Sequence, residues 1–132
     1  VLISTSLIGI LKSQSAHACP WDMTLATTHD FFWDLSASAG HCFPGGHAAT
    51  GFALFVGYFV YRLNEPKRAW FYLLAALVLG FVMGWAQMMR GAHFLSHNLW
   101  TAWVIWLVNV LAYALCYKQF TQPSPNQTQT TA

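Results

Sequence analysis

The sequence predicts an all-α, polytopic transmembrane helical bundle, and three observations carry that reading. Of the 132 residues, 56% are hydrophobic and only 8% are charged, against about 25% charged in ordinary soluble proteins. Two runs, Ala69 to Met89 and Asn98 to Tyr117, contain no charged residue; both exceed the roughly 18 residues that mark a transmembrane helix. A third apolar run, Ala48 to Tyr61, can begin at about Gly46. It is slightly short for a span and suits a thin or snorkelled boundary.

Taken in order, Val1 to Leu11 is apolar but too short to cross a bilayer alone. A chain opening on Val rather than Met reads as a fragment whose earlier helices are missing. A signal peptide would need a basic region ahead of the apolar one and a small-residue cleavage site after it, and neither is visible. The loop Arg62-Leu63-Asn64-Glu65-Pro66-Lys67-Arg68 sets three cations between two spans, which the positive-inside rule assigns to the cytoplasm. Asn64 and Pro66 suit a tight turn, and Glu65 a solvated loop charge. Alternation then sends Arg90 to His97 outward, returns Lys118 to the cytoplasm and leaves Lys12 to Gly46 outside. His17, His29, His41, His47, His93 and His97, all the histidines of the chain, share that outer side.

Residues 1–118 are thus expected to form one membrane-embedded unit: the end of one helix, an outer loop and three transmembrane helices. Gln119 to Ala132, rich in Thr, Gln, Pro and Asn, is expected to be a disordered cytoplasmic tail. Within the outer loop, Thr28 to Asp34 is expected to form a short interfacial helix, with Trp21, Phe31, Phe32 and Trp33 at headgroup depth. Trp70, Trp100, Trp103 and Trp106 read as belt or packing residues. A net charge of +2 with no basic stripe excludes a nucleic-acid partner; the expected surroundings are a lipid bilayer.

Three stretches carry chemistry. In Met89 to His97, the side chains of Arg90, His93 and His97 fall at i, i+3 and i+7 and share a helical face. They are three costly polar groups beside a membrane segment. Phe43-Pro44-Gly45-Gly46-His47 reads as a turn running into a helix start. Its glycines allow close backbone approach, its amides favour an anion, and His47 is placed either to cap the helix or to give a proton to a leaving oxygen. Lys12 ends the opening apolar run, where a lone Lys ordinarily snorkels.

Together these stretches resemble the type 2 phosphatidic acid phosphatase family of membrane phosphatases, distant relatives of vanadium haloperoxidases. The family pattern is Lys-x6-Arg-Pro, then Pro-Ser-Gly-His, then Ser-Arg-x5-His-x3-Asp. Here the first reads Lys12-x6-Cys19-Pro20, with Cys for Arg, and the second Pro44-Gly45-Gly46-His47, with Gly for Ser. The third departs most. The resemblance implies the C-terminal half of a six-helix membrane phosphatase fold. It also implies a His nucleophile that forms a phosphohistidine, with no metal and no cofactor. His47 would protonate the departing group, and Lys12, Arg90 and the amides of Gly45 and Gly46 would hold phosphate oxygens.

The third motif fits two registers. In one, His93 is the nucleophile, His97 takes the Asp position and Gln87 the Arg position, with Arg90 compensating from a helical turn away. In the other, Arg90 is the family's Arg and His97 the nucleophile, with Thr101 at the Asp position. The first is preferred, because it keeps the His-x3 spacing. A neutral His97 orients less well than a carboxylate. With Cys19 and Gly45 lacking the family's polar groups, His17 and His41 would add positive charge when protonated.

Cys19 and Cys42 share the outer side, where a disulfide would tie the first motif to the second; Cys116 reads as a small core residue. Two rival readings stand beside the phosphatase: a catalytically impaired relative serving as a membrane subunit, and a His/Cys metal-binding membrane protein. Against the latter, no Cys-x2-Cys or His-Glu-x2-His spacing occurs. The resemblance implies a lipid phosphate or pyrophosphate substrate, such as lipid A, undecaprenyl pyrophosphate or phosphatidate. It would be met in the inner (cytoplasmic) membrane by a site facing the periplasm or cell exterior, for hydrolysis or transfer.

Overall fold

Helix α4, Pro66–Met89, sorts its side chains in a way that water would not favour. In the computed structural model, which describes residues 1–26, 31–33 and 40–121, α4 buries Ala69, Ala76, Gly80 and Gly84. Spacings of seven and four put these small residues on one face. Trp70, Leu74, Val78, Val82, Trp85 and Met89 lie elsewhere on the helix, each more than half exposed. In lipid no hydrophobic force draws large apolar groups inward, and helices associate through close packing of small residues. With α5, Leu95–Thr121, α4 is long and apolar enough to cross a membrane.

The expected third span is helical from Gly46 to Tyr61, but in two pieces: α2, Gly46–Phe52, and α3, Phe55–Tyr61. At the joint the bonds tighten to the i→i−3 pattern, with Leu54 N–H donating to the Gly51 carbonyl at 3.2 Å and Gly57 N–H to the Leu54 carbonyl at 3.0 Å. Gly51 of α2 meets Gly80 of α4 backbone to backbone; a Cβ on Gly51 would lie 2.6 Å from the Gly80 Cα. The Phe52 ring fills the space a Cβ on Gly80 would need and stacks on Phe55 at 5.7 Å between ring centroids.

Helix α1, Leu2–Gln14, buries Ser4 and Ile8. Ile8 joins Ala48, Ala49, Phe52, Phe55, Ala76 and Ile105 in the core, so α1, α4 and α5 all meet at α2 and α3. Trp106 of α5 closes on Phe55 and Phe59 at 5.2 and 4.9 Å. Glu65 pairs with Arg68 at 2.8 Å, both side chains well exposed, in keeping with a solvated loop charge of little energetic weight.

Two expectations are corrected. Phe31–Trp33 is a strand, β2, paired antiparallel with β1, Thr24–Ala26, with Thr24 opposite Trp33. The expected interfacial helix is therefore absent from Phe31 to Trp33, where three consecutive aromatics favour a pleated backbone; Thr28, His29, Asp30 and Asp34 lie outside the described residues. Helix α5 also runs on through Thr121 rather than ending at Lys118, since Gln119, Phe120 and Thr121 include neither proline nor glycine. Residues 122–132, the rest of the expected tail, lie outside the described residues.

Candidate active site

The first component is placed by core packing. Ser4, Ile8 and Lys12 are four residues apart on α1, so burial of Ile8 aims Lys12 along the same face toward α2. Its Nζ comes within 3.8 Å of where a Cβ would stand on Gly46.

The second component is pinned to α5. After the cis Phe43–Pro44 bond, Gly45 N–H donates to Thr101 Oγ at 2.9 Å. The Thr101 hydroxyl donates in turn to the His97 carbonyl at 2.8 Å, with the Gly45 carbonyl at 3.3 Å. A Cβ on Gly45 would lie 2.7 Å from Asn98 Oδ1, an atom that is buried and without a hydrogen-bond partner. Asn98 thus fills the space a side chain at position 45 would need. The expectation that both glycine amides face a phosphate is corrected here: the Gly45 amide is committed to Thr101. Gly46, at the first position of α2, has no preceding helical turn to bond.

The third component follows from how α4 ends. Gly91, at φ +68°, donates to the Met88 carbonyl at 2.9 Å, and Ala92 N–H donates to the Gln87 carbonyl at 2.9 Å. These are the two bonds of a Schellman motif, which needs a residue that tolerates positive φ. The reversal leaves Arg90 exposed at the helix end and turns Ala92 and His93 inward, both 5% exposed. Trp21 N–H holds the turn by donating to the Gly91 carbonyl at 3.0 Å.

These components line one cavity of about 240 Å³, whose walls include Lys12, His41, His47, Gln87, Arg90 and His93. Its described walls carry no carboxylate, a composition suited to an anion. Burial holds the His93 pKa down to about 4, helped by the charge on Lys12 and by His97 and His47, while the Cys42 carbonyl acts the other way. At neutral pH the ring is therefore uncharged and able to act as a nucleophile. Its Nδ1 is buried and unpartnered.

His97 is absent from the cavity walls. It is 6% exposed and packs edge-on against Phe43 and Phe94, each 5.3 Å away between centroids. Cys19 and Cys42 form the expected disulfide in the cavity wall. Among the described residues no group of three His, Cys, Asp or Glu is arranged to hold a metal ion.

A family model for the PAP2 superfamily matches residues 1–121. The chain belongs to the PAP2 superfamily. No curated protein and no solved structure matches it.

Against the PAP2 pattern, the two registers now differ in geometry. Gln87, Arg90 and His93 line the cavity together. Thr101, at the Asp position of the second register, bonds backbone atoms of His97 and Gly45 through its hydroxyl. The sequence marks His41 only as an added charge, yet it lines the cavity. Its neighbour Cys42, paired with Cys19, was the signal that could have brought it there.

Proposed function

We propose that this PAP2 member is an integral membrane phosphatase or phosphotransferase that acts on a lipid phosphate or pyrophosphate through a phosphohistidine on His93. The observation that carries the reading is the cavity itself, which gathers Lys12, His47, Arg90 and an uncharged His93 with no carboxylate among its described walls. In the first step His93 Nε2 attacks phosphorus, the bond to the leaving oxygen breaks, and His47 gives that oxygen its proton. Lys12 and Arg90 neutralise the equatorial oxygens, with the Gly46 amide beside them. In the second step the now neutral His47 takes a proton from water. The oxygen attacks phosphorus, and the P–N electron pair returns to Nε2 as phosphate leaves. Another acceptor in place of water makes the reaction a transfer.

The cations of Arg62, Lys67 and Arg68 at the opposite end of α4 support an inner-membrane orientation with the cavity at the periplasmic or exterior surface. The test is phosphate release by the purified protein in lipid nanodiscs from phosphatidate and from undecaprenyl pyrophosphate, compared with His93→Ala and His97→Ala. Loss of release in His93→Ala, with a phosphoryl group trapped on wild type under alkaline quench, is the expected result. Equal release from all three proteins would overturn the mechanism. The unpartnered His93 Nδ1 favours one second reading, an impaired relative that serves as a membrane subunit. It predicts wild-type release no higher than that of His93→Ala on every lipid phosphate.

A further inference from the structure

The PAP2 resemblance puts a permanently charged guanidinium at the position of Cys19, where this chain has only a disulfide sulfur. A phosphate in the cavity would lose one cation on that side unless another group supplied it. The disulfide joins position 19 to Cys42, the neighbour of His41, and Cys42 N–H donates to the His17 carbonyl at 3.1 Å. His41 itself stands in the cavity wall with Lys12, His47 and His93, its Nδ1 2.7 Å from the Ser15 carbonyl oxygen.

We propose that His41 replaces the missing guanidinium as a phosphate-binding cation, making anion capture by this cavity dependent on pH. The proposal rests on the phosphate-site reading above. A carbonyl can only accept, so the Ser15 bond keeps a proton on Nδ1 in both charge states of the ring. In neutral His41, Nε2 is then a lone pair that repels a phosphate oxygen. After protonation the same atom is a charged donor. The titratable and charged groups that line the cavity with it are Lys12 from α1, His47 from α2, Arg90 from the end of α4 and His93 from the α4–α5 turn, and His17 shares Ser15 with it; none of them is an anion. A dianionic ligand therefore supplies the only counter-charge among the described walls, and it draws the proton onto His41 as it binds. Where an arginine would bind at every pH, this site gives up its ligand as the medium turns alkaline.

Sulfate is the probe, because it stays a dianion between pH 5 and 9 and brings no titration of its own. Its affinity for the purified protein is measured by calorimetry across that range for wild type, His41→Gln and His41→Arg. Expected are a wild-type affinity that weakens as pH rises, a His41→Gln protein that is weak at acid pH, and a His41→Arg protein that keeps tight binding at alkaline pH. Tight binding by His41→Arg also demonstrates an intact site. If His41→Gln keeps the wild-type affinity and slope, the role of His41 is overturned while the phosphate site stands. If wild type binds no sulfate at any pH, the phosphate-site reading falls, and this inference with it.

Discussion

The rings of His93 and His97 stand 5.9 Å apart between centroids, close to perpendicular, and neither Nδ1 has a hydrogen-bond partner. In the register that makes His93 the nucleophile, the PAP2 pattern would put a carboxylate at the position of His97. Its loss leaves the reacting tautomer of His93, with the proton on Nδ1, unsupported. His97→Asp restores an acceptor for that proton and is expected to raise phosphate release by about 10- to 100-fold. A rate unchanged or lowered in steady-state phosphate assays would remove His97 from the Asp position.

The His93 pKa, lowered to about 4 from an ordinary 6.5, sets a pH dependence whose sign follows from linkage. Between those values the unfolded chain binds a proton that the folded site refuses, so stability is full above about pH 6.5 and declines as pH falls toward 4. Nucleophilic competence persists to the lower end of that window. Thermal unfolding followed from pH 7 to pH 4 is expected to show a shallower decline for His93→Gln than for wild type; parallel curves would contradict the shift.

Gly45→Ser returns the PAP2 residue, yet it is expected to destabilise this protein by about 1–3 kcal/mol. The new Cβ would lie 2.7 Å from Asn98 Oδ1, and Asn98 is 1% exposed, with little room to withdraw. In the Asn98→Ala background the same substitution is expected to cost less. Denaturation of the four proteins of that double-mutant cycle reads the coupling directly, and strict additivity would show that Asn98 does not occupy the space.

The Cys19–Cys42 bond closes a loop of sequence separation 23, which corresponds to about 3 kcal/mol of chain-entropy stabilisation. Cys19→Ala/Cys42→Ala is expected to lose about that amount and to become insensitive to reductant, while wild type drops to the same stability on reduction. A mass increase of about two protons' weight on reduction checks the bond itself; two thiols titrating in the untreated protein would refute it.

Much of this arrangement was legible from residues whose cost is local. Lys12, Arg90 and His93 announce themselves because charge and imidazole beside apolar helices are expensive wherever the chain goes, and the runs from Ala69 and Asn98 give helices by composition alone. His41 carried no such mark: its place depends on Ser15, 26 residues earlier, and on a disulfide. The break between α2 and α3 lies beside Gly51 against Gly80, a contact between two helices that no period within either run encodes. The β1–β2 ladder pairs only three residues on each side, too few to establish an alternation against the aromatic run that suggested an interfacial helix.

The Gly51–Gly80 contact brings the backbones of α2 and α4 together at one point, the natural place for one helix to pivot on the other. Arg90 lies ten residues beyond Gly80, a lever of about 15 Å along α4, so a tilt of about 10° around the glycine pair swings the guanidinium by roughly 2.5 Å relative to His47 on α2. Helix tilt is one way in which a long apolar span adjusts to bilayer thickness. Nanodiscs of short- and long-chain lipid are accordingly expected to give different phosphate-release rates, and equal rates would show the pivot to be locked. If rates do differ, the thickness of the surrounding membrane is a mechanical input to the spacing between Arg90 and His47.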